Sequence, residues 1–375
     1  LVWIDTQHNL SLRYVYPVYG DRLTFSEDGR QVVMIADMPD KTQFATWNIK
    51  TGDWDIIPTP SGRCVGLYAY WLHQNRGIAI GCGSDTLARL YRFDVAQNRL
   101  DVIYQLAYQL TQSYQVAWSP NGDYVAITRG NSIDLIDITT GDSKTITPTT
   151  DVAQSLVMWH PNHRSLFALA GQVIKQYDLD TGVWASITSD SAGIRVAELS
   201  PDGKWLAFIN SASRAYTVNL ETGATTRLQT YNFMVEDVVW LKWSPTSEWI
   251  MLSIPIRSED DALYVIRPDA SELIVFGAGV MSQAPAWSPD GSKIAYVAQR
   301  GNIPQLFWWE MGGEEQFIIS QARNPRWSSD STAIVFEYYG GRMTREAQLG
   351  YYHIQTGDTF FTHSSVRVQA VGFVR

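Results

Sequence analysis

The chain has 375 residues, 29 of them basic and 38 acidic, for a net charge of −9, with 45% hydrophobic, 13% aromatic and 18% charged side chains. Such a composition excludes a disordered chain or a coiled coil, and the negative field excludes nucleic acid as a partner. No run approaches the roughly 18 apolar residues of a spanning helix, so no membrane insertion is expected within the chain. Residues 1–6 lack the basic start of a signal peptide, and a chain that begins with Leu1 is expected to be a processed or trimmed piece of a longer one.

In chain order, residues 1–6 and 11–16 read as a hairpin, and after it one phrase recurs. An apolar alternation ends in an aromatic, a Ser-Pro-Asp-Gly turn or a variant follows, and a second apolar strand begins. The copies are centred on Phe25, Trp71, Trp118, Trp159, Leu199, Trp243, Trp287 and Trp327, which lie 40 to 47 residues apart. The clearest turns are Ser119-Pro120-Asn121-Gly122 and Ser288-Pro289-Asp290-Gly291, whereas Trp71-Leu72-His73 and Trp327-Ser328-Ser329 lack the proline. Proline presets the first turn angle, and Asn or Asp followed by Gly supplies the left-handed position, so the motif is a hairpin device with a structural task.

Within the third repeat the predicted strands are 116–118, 124–128, 133–138 and 144–147, and the fifth repeats the order with 206–209, 216–220 and 225–228. A four-stranded unit recurring about every 43 residues predicts an all-β fold, a β-propeller of four-stranded antiparallel blades. The repeat units run approximately over 21–61, 62–111, 112–150, 151–190, 191–232, 233–280, 281–321 and 322–364 of a single domain, 1–375. Eight blades are favoured. The alternative is nine, with a composite blade made from both termini, because 1–17 and 365–375 read as ring-closing strands.

Trp287-Ser288-Pro289-Asp290-Gly291, followed by Ile294-Ala295-Tyr296, resembles the WD40-like propeller repeat of the TolB family. The likeness covers essentially the whole chain. The same repeat occurs in periplasmic binding propellers, in accessory domains of prolyl-oligopeptidase-like enzymes and in some sugar lyases, so the resemblance implies architecture more than activity. It also implies an extracytoplasmic setting, periplasmic or at the cell surface, with any anchor in sequence outside this chain. Cys64 and Cys82 become diagonal neighbours on one face if Trp71 pairs with Gly77, which favours two buried thiols over a bridge.

In a propeller the innermost strand of each blade lines a channel. The connections between blades share one face with those between second and third strands, ligands bind on that face, and the Ser-Pro-Asp-Gly turns share the other. On the first face fall the longer loops 105–114, 231–236, 255–262, 277–283 and 338–348, and the chain has 22 Arg against 7 Lys. The ligand-binding candidates are Arg63, Arg129, Arg257, Arg300, Arg323, Arg342, Tyr108, Tyr114 and Tyr231. Forked guanidinium donors beside tyrosines suit a carboxylate, a phosphate or an acidic peptide, and the competing reading is a solvated face of mutually paired charges.

His160 and His163 read as surface histidines of a turn rather than metal ligands, and Glu259-Asp260-Asp261 lacks the spacing of a calcium loop. Nucleophile-elbow, Walker and dinucleotide motifs are absent, so no catalytic residue, metal or cofactor is expected and enzyme activity has no support. The functional expectation is a non-enzymatic scaffold that binds a protein partner, or a small-molecule or glycan ligand. The alternatives are a carbohydrate-active or acidic-glycan-binding propeller and the propeller domain of a larger prolyl-oligopeptidase-like enzyme.

Overall fold

The computed structural model describes residues 23–26, 30–37, 42–48, 51, 53–58, 65–71, 77–83, 87–107, 115–148, 154–228, 238, 240–254, 262–276, 285–300, 303–340 and 348–361. Among them, thirty-two strands form eight four-stranded antiparallel sheets, each an up-and-down meander of consecutive strands. These are blades 1 to 8, spanning 23–57, 65–107, 116–146, 154–189, 194–227, 240–276, 286–320 and 322–361, each with strands a to d in chain order. The chain divides into two compact units, Leu1–Asp151 with Val374–Arg375, which holds blades 1 to 3, and Val152–Phe373, which holds blades 4 to 8. The segments 1–17 and 365–375, and with them the composite ninth blade, lie outside the described residues. Among the described residues no helix is long and apolar enough to cross a membrane.

Burial follows from stacking one sheet on another. Strand b of blade 4, Ser165–Ala170, is buried at every residue, as a strand sandwiched between two sheets must be, while strand d of blade 3, Ser143–Ile146, is exposed at three of four positions. The third repeat folds within one residue of expectation, with strands Val116–Trp118, Tyr124–Arg129, Ser132–Asp137 and Ser143–Ile146. In blade 2, Trp71 pairs with Ile78 rather than Gly77, and a bulge between Val65 and Tyr68 returns the register so that Val65 faces Gly83. Cys64 lies outside the described residues, and the expected thiol pair with it.

In four of the blades the turn serine organises the a-to-b hairpin. Ser119, Ser200, Ser288 and Ser328 donate from Oγ to the side chain two residues on, at 2.8, 2.6, 2.6 and 2.6 Å. Each also accepts the backbone N–H at the start of strand b, from Tyr124, Trp205, Lys293 and Ala333, at 2.9, 3.0, 2.9 and 2.9 Å. The proline-free turn of blade 8 keeps this geometry, with Ser331 at φ 62° where Gly122, Gly203 and Gly291 take 70°, 74° and 72°.

In the second unit, neighbouring turns fit one another by size. A Cβ on Gly203 would lie 2.4 Å from the His160 ring of the preceding blade, and one on Gly291 2.7 Å from Thr246. Where the left-handed position is serine, its hydroxyl is an acceptor instead: Asp202 N–H donates to Ser247 Oγ at 2.9 Å and Asp290 N–H to Ser331 Oγ at 3.1 Å. His160 occupies the place of the turn serine. Its Nδ1 accepts the Asn162 N–H at 3.1 Å, so the proton sits on Nε2, which donates to Gly203 O at 2.9 Å. His160 is therefore a half-buried bridge between blades 4 and 5, not a surface histidine, because the fold uses both ring nitrogens. His163, also half-buried, holds φ 66° with its Nδ1 shielded from solvent.

The anchor tryptophans tie inner strands together. Trp243 Nε1 donates to Glu198 O at 3.1 Å and Trp327 Nε1 to Ala286 O at 2.9 Å, each reaching the blade before. Trp287 holds the same position, 8% exposed, but its N–H meets no acceptor among the described residues. Blades 6 and 7 are joined there by aromatic packing, with Phe276 stacked on Trp309 at 4.3 Å and edge-on to Tyr296 at 5.7 Å.

Two outcomes are expected in urea unfolding. Trp287→Ala lowers stability by about 3–5 kcal/mol as a large-to-small core change, and Trp327→Phe costs more than Trp287→Phe because only the former breaks a hydrogen bond, worth about 1 kcal/mol. Equal costs for the two Phe variants would contradict the role of the indole N–H. Gly203→Ala lowers stability by about 2–3 kcal/mol, from the left-handed backbone and the contact with His160. Adding His160→Ala recovers part of that loss; strict additivity of the pair would sink the size-matching argument.

Candidate functional site

Six of the nine candidates, Arg63, Arg257, Arg342, Tyr108, Tyr114 and Tyr231, lie outside the described residues; Arg129, Arg300 and Arg323 lie within them. In the first unit, Arg129 closes strand b of blade 3, with its Nε 3.5 Å from Asp134 Oδ2. Asp134, 3% exposed, also accepts from Tyr104 OH at 2.6 Å and Thr145 Oγ1 at 2.7 Å. A buried carboxylate must be satisfied in this way. Burial, and next the bond to Asp134, push the Tyr104 hydroxyl well above its ordinary pKa. Arg129 therefore serves a tie between strand d of blade 2 and blade 3.

In the second unit, Arg300 closes strand b of blade 7 (Lys293–Arg300) and folds back along the sheet. Its Nη2 lies 3.0 Å from Glu315 Oε1, its guanidinium sits 5.3 Å over the Phe307 ring, and fully buried Tyr296 donates to the other Glu315 oxygen. Arg195, at the start of strand a in blade 5, donates to the carbonyl of Val238, just before blade 6, at 2.7 Å.

Arg323 has a different environment. Strand a of blade 8, Ala322–Trp327, carries a bulge between Arg323 and Arg326, with Asn324 left-handed at φ 52°. Asn324 Nδ2 donates to Glu337 Oε1 at 2.8 Å and Tyr339 OH to Glu337 Oε2 at 2.5 Å, so a carboxylate only 6% exposed has both oxygens bonded. Arg323 stands directly opposite Glu337 in the strand register, with its guanidinium 5.5 Å over the Tyr339 ring. Burial, then donation to Glu337, push the Tyr339 hydroxyl up to about 12, with Arg323 pulling the other way.

Bulges recur at this end of strand a, before residues 68, 156, 196 and 326 in blades 2, 4, 5 and 8. Among the described residues, strand a carries no bulge at the opposite end, next to the a-to-b turn. Among the described residues no group of three or more His, Cys, Asp or Glu is placed to hold a metal.

Eight four-stranded blades with one uniform end and one varied end make this an all-β propeller. No family model matches the chain. Over 137 residues, 36% of this chain, it is 28% identical to a Protein TolB homolog of Chlorobium luteolum, and the match spans 30% of that protein's length. Among solved structures it is similar to one of the eukaryotic initiation factor, at TM-score 0.71 and 10% identity over 98% of this chain and 96% of that one. It is also similar to oligogalacturonate lyase in complex with manganese, at TM-score 0.52 and 15% identity over 89% of this chain and 88% of that one. At such identities the likeness shows the fold.

Sequence reading singled out Arg323 but not Glu337, Asn324 or Tyr339. The available signal was Asn324-Pro325, a pair that cannot continue a regular ladder and so marks a bulge. One pH effect follows. A hydroxyl whose folded pKa is raised stabilises the fold below the unfolded value of about 10 and loses that contribution as pH rises towards the folded one. Urea unfolding at a series of pH values from about 9 to about 12 should show stability falling, and Tyr339→Phe should make the fall shallower. An identical slope in the variant would remove Tyr339 from the account.

Proposed function

We propose that the chain is a non-enzymatic scaffold that binds a protein partner on the face carrying the connections between blades and between strands b and c, in an extracytoplasmic setting. The observation that carries this reading is the contrast between the two ends of the blades. At one end the polar groups of the turns are spent on each other, from Ser119 and Ser200 to the Asp290–Ser331 contact. At the other, bulges in strand a distinguish blades 2, 4, 5 and 8, and recognition in such folds resides in the variable end. The likeness to a TolB homolog supports a binding propeller and a periplasmic or cell-surface setting.

A second reading, an acidic-glycan-binding or carbohydrate-active propeller, is favoured by Arg323 over Tyr339 and by the likeness to a lyase of oligogalacturonate. A thermal-shift screen separates the two, since a ligand that binds the native state raises the melting temperature by mass action. Peptides are expected to raise it, with metals, nucleotides and neutral oligosaccharides without effect. A shift with uronates and none with any peptide would overturn the scaffold reading in favour of the second.

A further inference from the structure

We propose that three bulges in strand d, each built on an isoleucine, keep blades 2, 4 and 7 from pairing edge to edge with a second copy of the chain. Strand d is the last strand of every sheet, so among the described residues one row of its backbone N–H and C=O groups has no neighbouring strand within the blade. Such an edge is a template for another strand.

Length and composition divide the eight edges into two groups. Strand d has three or four residues in blades 1, 3, 5, 6 and 8, which gives an incoming strand little to pair with. In blades 2, 4 and 7 it has nine, six and six, Arg99–Ala107, Trp184–Ser189 and Glu315–Ser320. Each long strand contains an uncharged run without proline or glycine, over 102–107, 184–189 and 316–320. Runs of that kind are the ones that stack with copies of themselves. Two of them also present a large apolar side chain to solvent, Val102 at 56% and Phe317 at 54% exposure.

All three runs are interrupted by one extra residue. Leu90 faces Tyr104 and Tyr91 faces Val102, which leaves Ile103 over. Ile174 faces Thr188 and Lys175 faces Ser186, which leaves Ile187. Leu306 faces Ile319 and Phe307 faces Phe317, which leaves Ile318. Among the described residues, the ladders between strands c and d of the five other blades carry no such shift.

In each case the half-buried isoleucine also packs against a core shared with the next blade. Ile103 lies on that of blades 2 and 3, Ile187 on that of blades 4 and 5, and Ile318 on that of blades 7 and 8. Burial of the side chain against the neighbouring blade holds the kink in place. The kink bends the edge and increases its twist, so a straight incoming strand meets only part of the ladder. Packing between blades and protection of the edge are thus served by the same residue.

The test removes the kink and keeps the strand. Deleting Ile318 joins the pairs Leu306–Ile319 and Phe307–Phe317 into one unbroken ladder. The full chain, the deletion, Ile318→Ala, and the deletion combined with Phe317→Lys are compared by light scattering after size exclusion over a range of concentrations, with urea midpoints for each. Wild type and Ile318→Ala are expected at the same mass, the latter with a lower midpoint, because it keeps the bulge and loses packing. The deletion is expected to reach about twice that mass or more as concentration rises. A charged side chain on an exposed edge blocks pairing, so Phe317→Lys returns the deletion to the wild-type mass without raising its midpoint. A deletion variant that stays at the wild-type mass would overturn the proposal. So would equal association of Ile318→Ala, or association that Phe317→Lys leaves unchanged, because loss of folding and not edge pairing would then be the cause.

Discussion

A hydroxyl that bonds in two directions is the constraint on which the rest depends. In four blades the turn serine donates to the side chain two residues ahead and accepts the N–H that starts the next strand. The turn is thereby closed at a fixed length, and the register of strands a and b follows from it. With the register set, the anchor aromatic points to the preceding blade and strand b is buried on both faces. Core packing comes after this geometric decision, since a slip of one residue would turn every buried side chain to the wrong face.

The blades differ in how they use the shared turn. Histidine replaces serine in blade 4 and reaches across to Gly203, threonine in blade 6 fills the space beside Gly291, and serines at the left-handed position become acceptors in blades 6 and 8. The histidine and the two serines each satisfy a backbone group of the neighbouring turn, whereas the threonine only fills space. At the opposite end strand a of blade 8 bulges, and a buried carboxylate stands across the register from an arginine that lies over Tyr339.

Much of the architecture was legible in the sequence because it is local and repeated. Trp118, Trp287 and Trp327 mark strand ends, and Pro followed by Asn or Asp and Gly marks the reversals, so the strands of blade 3 are placed to within one residue. What escaped was set by contacts between residues far apart. His160 looked like a turn residue because Gly203, 43 positions on, supplies its partner. The pairing of Trp71 was off by one because a bulge several residues away absorbs the difference. At blade 8, Arg323 was visible as one arginine among 22. Its distinction lies in Glu337 and Tyr339, which reach it only through the folded sheet.

The size-matched turns make the repeats unequal in rank order. Gly203 accepts His160 as its neighbour, and the same hollow opposite a serine turn would be left partly empty, while His160 set against Ser247 would collide with its side chain. The repeats of the second unit thus read as copies of one unit and yet are not interchangeable at these junctions. A gene in which blades 5 and 6 were exchanged would encode every turn, strand and anchor of the original and still lack the junctions that hold them in sequence.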